Sequence, residues 1–210
     1  MYWSFSLVLL LRCLVTQGIK YKVRVDETTG YTKENGCFGY GLAVKTHTNL
    51  TIDEVNCHAI CHPDDFQHKP KIFYYHAVDN YLYIVVMVNA NPYYYEEEYY
   101  LHWLVANIKG QDLRVGNFSK ADRLIRYKPP ASFYRRPDSH QFQVFVIKQG
   151  RRRKIKRMHY LKAKLQRRRF KFFQWYYKRA ILPFTKSKVN LTVSPLAGVE
   201  FTIFFDRRGQ

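Results

Sequence analysis

His102 and His140 are the side chains best placed for chemistry in this 210-residue chain, each set among apolar residues in a strand-like run. The first run is YLHWLVANIKG, Tyr100 to Gly110, and the second is DSHQFQVFVIKQ, Asp138 to Gln149. Imidazole changes charge near neutral pH, so its protonation state sets what it can bind. Neither histidine has a nucleophile or an acid fixed beside it by a motif. The chain also has no Gly-rich phosphate loop, no nucleophile elbow and no His-Glu-x-x-His signature. An enzyme is therefore the least supported class, and no cofactor is called for. The bland alternative is a pair of half-buried strand histidines, each hydrogen-bonded to backbone in a site that binds nothing.

The elements that must position these residues are short β-branched and aromatic runs bounded by Asn, Pro, Gly and charge. Residues 71–78 read KIFYYHAV, 81–88 YLYIVVMV, 100–108 YLHWLVANI and 142–147 FQVFVI. They predict an antiparallel β protein with several buried central strands. PYYYEEEYY, Pro92 to Tyr100, predicts a surface link, and a Pro-Pro loop at Pro129 and Pro130 leads toward His140. The amino-terminal third has no clear periodicity beyond an alternating Ile19 to Val25 and a loop-like Glu27 to Gly36.

Together the runs resemble the phosphatidylethanolamine-binding protein family. Its members carry a first motif Asp-Pro-Asp-x-Pro, a strand of the form His-Phe-Leu-Val-x-Asn and a second motif Gly-x-His-Arg. PLAGVEFTIFFD, Pro195 to Asp206, resembles the family's Pro-Val-Ala-Gly strand. The resemblance spans residues 70–149 plus this last strand. It implies a mainly β fold, an antiparallel β-sandwich with a few peripheral helices, over a single domain at 19–210. It also implies a pocket that binds a phospholipid head group or other small anion without covalent chemistry. In such a pocket imidazole and backbone N–H groups donate to the anion, and charge-assisted bonds are about twice as strong as neutral ones. His102 and His140 match the family's two histidines, with Asn89, Pro92 and Phe142 beside them.

Several polar groups depart from the pattern. The first motif reads Val88, Asn89, Ala90, Asn91, Pro92, without the two carboxylates, and a one-residue gap places Asn89 and Asn91 at the acid positions. Asp138 replaces glycine, Gln141 replaces arginine, and Phe142 stands where the family has a tyrosine. Without an acid beside them the histidines should be harder to protonate. A working anion pocket and a relict one both remain open on these residues.

MYWSFSLVLLLRCLVTQG, residues 1–18, predicts a secretory signal peptide, with a mitochondrial presequence or retained anchor as the alternative because Arg12 interrupts the apolar core. Sequons at Asn49, Asn117 and Asn190 fit glycosylation on an extracellular route. Removal of the leader leaves Cys37, Cys57 and Cys61, an odd number that predicts one disulfide and one free or intermolecular thiol. Cys37 is the favoured partner, with Cys57 or Cys61. The cluster Cys57, His58, Cys61 and His62 matches no common structural zinc spacing, so no metal is assigned.

The formal net charge is +19, and residues 151–179 hold fourteen Lys and Arg with no acid. Ile155, Met158, Leu161 and Leu165 recur at helical spacing there, which predicts a basic amphipathic helix, and the resemblance implies that much of the aromatic block after it joins the core. A second function follows from this charge: binding of anionic membrane or sulfated glycans through Arg151, Arg152, Arg153, Lys154, Arg167, Arg168 and Arg169, with the pocket silent. A third reading is a mitochondrial ribosomal protein with the same fold, and nucleic acid is a partner only in that case.

Overall fold

The computed structural model describes residues 24–25, 31–90, 98–131, 138–150, 155, 167–176, 192–193 and 195–205. The leader at 1–18, Asn91, Pro92, Arg151 to Lys154 and Asn190 lie outside the described residues, as does the amphipathic stretch apart from Ile155. Eleven strands are described in chain order. They are β1 (Arg24–Val25), β2 (Leu42–Lys45), β3 (Thr51–Ile52), β4 (Ala59–Cys61), β5 (Lys71–Tyr74) and β6 (Leu82–Asn89). Then come β7 (Tyr100–Lys109), β8 (Asp122–Ile125), β9 (Asp138–Gly150), β10 (Thr192–Val193) and β11 (Pro195–Phe205). Two short helices, α1 (Gly110–Arg114) and α2 (Phe172–Tyr176), complete the set with a 3-10 turn at Pro63–Phe66.

A six-stranded sheet in the order β4-β11-β9-β6-β7-β8 faces a three-stranded sheet in the order β3-β2-β5, and β1 pairs with β10 apart from both. The central strands are largely apolar because both faces of the larger sheet are covered. Tyr83, Val85 and Met87 of β6 point into the core between the sheets, against Leu42, Val44, Ile52 and Ile72 of the smaller one. The alternate residues Ile84, Val86 and Val88 point the other way and pack with Tyr31, Phe38, Phe170, Phe172, Trp175 and Tyr176. Phe170, Phe172, Trp175 and Tyr176 of the aromatic block thus enter the core, as the resemblance implied. Ile155 is also buried, held through its backbone N–H and C=O by the side chain of Asn107.

Two pairings depart from the antiparallel expectation, β1 with β10 and β4 with β11. β4 joins the sheet edge parallel to β11, with Ile60 opposite Thr202. Parallel neighbours need a long connection, and residues 62–194 run between these two strands. The weakly patterned amino-terminal third supplies β2, β3 and β4, which are too short for periodicity to reveal.

Cys37 and Cys57 form a disulfide with Cα atoms 6.0 Å apart, and Cys61 is a buried free thiol facing the Ala59 carbonyl. Burial pushes that thiol up to about 12. The other members of the Cys/His cluster diverge: His62 caps the 3-10 turn and His58 reaches the buried Glu200 carboxylate at 3.0 Å.

Candidate functional site

The site assembles where β6, β7 and β9 run side by side. Asn89 at the end of β6 is in register with Tyr100 of β7 and with Phe142 of β9. His140 lies two residues from Phe142 on the same strand, and residues two apart on a strand share a face. His102 reaches that face by a different device. Met87 pairs with Trp103, but Val88 pairs with Leu101, so His102 is the extra residue of a β-bulge in β7. A bulge re-aims side chains, and here both His102 and Trp103 turn toward the intersheet side. The Phe142 ring lies 5.1 Å from the His102 ring and 6.5 Å from that of His140. The two histidines, Asn89 and Phe142 are therefore brought together.

The imidazoles are held differently. His102 is 1% exposed, and its Nδ1 lies 2.8 Å from the Lys128 carbonyl, to which it donates. This fixes the proton on Nδ1 and leaves Nε2 as an acceptor. Nε2 is buried and has no hydrogen-bond partner among the described residues. Burial pushes the His102 pKa down to about 3, the Lys128 carbonyl opposes the shift, and the cations Arg167 and Lys128 add to it. The ring is neutral at physiological pH, chiefly through desolvation rather than through a missing acid.

His140 sits between two polar groups. Its Nδ1 is 3.0 Å from Asn89 Nδ2, and its Nε2 is 2.5 Å from Asp138 Oδ2. The second contact is short but lies off hydrogen-bond alignment. With Asn89 donating to Nδ1, the proton belongs on Nε2, facing the carboxylate. An acid is thus present beside this histidine after all, supplied by the residue that replaces the motif glycine. The spacing Asp138-x-His140 carried that signal, because it places both side chains on one face of a strand.

Cations border the pair. The Lys128 ammonium is 2.9 Å from the Tyr100 hydroxyl, and the Tyr100 ring is 4.9 Å from that of His102. Arg167 spends its guanidinium on protein carbonyls: Nη1 donates to Leu101 and His102 at 2.9 Å each, and Nη2 to Arg126 at 2.6 Å. The Leu101 N–H donates back to the Arg167 carbonyl, and Tyr99 and Phe170 form an antiparallel bridge. The end of the basic segment is thereby stitched to the strand that carries His102. Arg168 and Arg169 are exposed, and Arg169 lies 3.9 Å from Glu98. Asn49 and Asn117 are both exposed in turns, Asn49 with φ 68°.

No family model matches this sequence. The structure does have counterparts. It superposes on a carboxypeptidase Y inhibitor, solved in complex with its cognate proteinase, with a TM-score of 0.52 at 13% identity. The match covers 77% of this chain and 81% of that one. That inhibitor has the phosphatidylethanolamine-binding protein fold. This chain has the same fold. A phosphatidylethanolamine-binding protein from Plasmodium vivax also aligns, at 12% identity and a TM-score of 0.47 over 77% of this chain and 83% of that one. The architecture implied by the motif-like runs is therefore present, and at these identities the likeness speaks for the fold alone.

Within this phosphatidylethanolamine-binding fold, Lys128, Tyr100 and Arg167 surround His102 without having stood out in the sequence as its neighbours. Tyr100 was accessible from the two-residue spacing. Lys128 and Arg167 were not, because each reaches His102 from a loop or segment at least 26 residues away.

Proposed function

We propose that this is a secreted, non-enzymatic binding protein that holds a phospholipid head group or other small anion beside His102 and His140. The observation that carries the proposal is the buried Nε2 of His102. It is a polar atom without a partner among described residues, in a setting where Asn89, Lys128 and Tyr100 all have one and where Asp138 stands against His140 off hydrogen-bond alignment. Buried polar groups are almost always satisfied, and an exception in a cluster of convergent polar side chains points to a ligand or water. The neighbouring cations Lys128 and Arg167 favour negative charge there. The test is isothermal titration of the full chain with phosphate and phosphorylethanolamine, before and after replacing both histidines by Ala. Loss of binding with a retained far-UV spectrum is expected; binding that survives the double substitution rejects the site.

A second reading has its own observation. Arg126, Lys128, Arg168 and Arg169 are exposed close to Arg167, at the end of a segment with no acid. A polyanion partner at this surface would bind with a steep salt dependence. Vesicle binding separates the two: salt-resistant binding that needs phosphatidylethanolamine belongs to the histidine site, and salt-labile binding to any acidic vesicle belongs to the basic segment.

A further inference from the structure

The outer face of the smaller sheet carries groups that the histidine site does not use. Leu42 and Val44 of β2, with Ile72 and Tyr74 of β5, point into the core. Strand alternation therefore turns Lys45, Lys71 and Phe73 outward, and Tyr75 continues the row past the end of β5. Tyr75 stays in the ladder, its N–H donating to the Gly41 carbonyl at 2.9 Å. The basic segment is on the other side of the molecule, because Phe170 and Phe172 at its end pack on the opposite face of the larger sheet.

Lys45 and Lys71 are exposed register partners, and like charges directly opposite each other cost stability. Neither ammonium makes an ion pair with a described residue. Asp65, which reaches the turn after β2, is committed to the Thr48 hydroxyl at 2.5 Å and the His62 N–H at 2.9 Å. Beyond the lysines the Phe73 and Tyr75 rings lie nearly parallel, 14° apart, with centroids separated by 6.2 Å. Tyr75 is 57% exposed. Gly116 holds the Phe73 ring from the side: its φ is 67°, and a Cβ there would stand 2.9 Å from Phe73 Cε1. Glu54 places its Oε2 3.4 Å from the Gly41 nitrogen, at the Tyr75 end of the row.

The row thus has two unanswered positive charges at one end and an exposed aromatic pair at the other, over roughly 13 Å of strand. A small anion meets only the lysines, and an apolar partner meets only the rings. We propose that this face docks a sulfated polysaccharide. Its sulfate esters answer Lys45 and Lys71, and the C–H face of a neighbouring sugar lies on Phe73 and Tyr75, with the tyrosine hydroxyl at the wet edge. Single-stranded nucleic acid also combines negative charge with flat rings. The oxidising setting in which the Cys37–Cys57 disulfide persists is that of sulfated glycans instead. This surface uses no residue of the histidine site and shares with that reading only the extracellular setting.

Because the basic segment can also hold a polyanion, the test must resolve individual lysines. Acetylation of the full chain, read residue by residue by mass spectrometry, is compared with and without a heparin tetrasaccharide. Lys45 and Lys71 should be protected together, and the desulfated tetrasaccharide should protect neither. Tyr75→Ala should raise the tetrasaccharide concentration needed for half-protection about fivefold, the effect of losing one exposed aromatic contact. If that variant does not fold, the sulfated and desulfated ligands still decide on the wild type. Protection confined to Lys128 and the basic segment overturns the proposal and leaves the small-anion reading untouched. Protection of Lys45 and Lys71 that is unchanged in folded Tyr75→Ala overturns the seating of a sugar on the rings. Stronger protection by a single-stranded oligonucleotide of equal charge assigns the face to nucleic acid and overturns it as well.

Discussion

Acid should destabilise this protein through His102 in a way that a substitution at that one position removes. The imidazole is 1% exposed, and burial lowers its pKa in the folded state from 6.5 to about 3. In the unfolded chain it titrates near the ordinary value. Between those two values the unfolded state binds a proton that the folded state refuses, so stability falls as pH drops below about 6.5. Each pH unit fully inside that window is worth about 1.4 kcal/mol. Allowing for partial protonation of the unfolded chain at the upper edge, the loss between pH 7.5 and pH 5 is about 2 kcal/mol for this residue. Urea denaturation at the two pH values measures the total loss, to which carboxylates and the other histidines also contribute. His102→Gln keeps a polar side chain of similar reach but cannot titrate. The wild type should lose about 2 kcal/mol more than this variant over the interval, a difference that cancels groups acting independently of position 102. Equal losses in the two proteins would refute the argument and place His102 in contact with solvent or with a stabilising anion charge.

Three further outcomes are expected. Arg167→Ala and Arg167→Lys should both destabilise the protein by about 2 kcal/mol in urea, because an ammonium cannot serve the Leu101, His102 and Arg126 carbonyls together as the planar guanidinium does. If Lys is tolerated, Arg167 is a surface charge and not a stitch. Replacing Cys37 and Cys57 by Ser opens a linkage spanning 20 residues and should cost about 3 kcal/mol, while the buried Cys61 thiol should react with Ellman's reagent only after unfolding. Rapid native-state labelling of Cys61 would contradict its burial.

Several features were legible in the residues and others were not. The runs at 81–88, 100–108 and 142–147 announced central strands because a strand covered on both faces is largely apolar. Cysteine arithmetic announced one disulfide and one thiol, and Cys37 was the favoured partner. The two histidines, which the fold brings together beside Phe142, pointed to a candidate site through the resemblance of their surroundings to a known family. Its missing acids were counted as lost, yet Asp138 stands at 2.5 Å from His140, because a strand face is shared by alternate residues and not by adjacent motif positions.

The sequence by itself determined the central strands of the larger sheet and that His140 and Asp138 share a face, since burial and strand periodicity are properties of neighbouring residues. Only the tertiary structure decided the rest. A single-residue bulge turns His102 toward the core, and bulges leave no periodic trace. β4 closes the sheet edge parallel to β11, from which residues 62–194 separate it. Arg167 appears in the sequence as one cation of a polyanion-binding run, and its guanidinium becomes a backbone ligand because three carbonyls from β7 and the loop after β8 converge on it. The lone pair left on His102 Nε2 has the same origin. It exists because the Lys128 carbonyl, 26 residues away in sequence, takes the other nitrogen's proton and the fold encloses what remains.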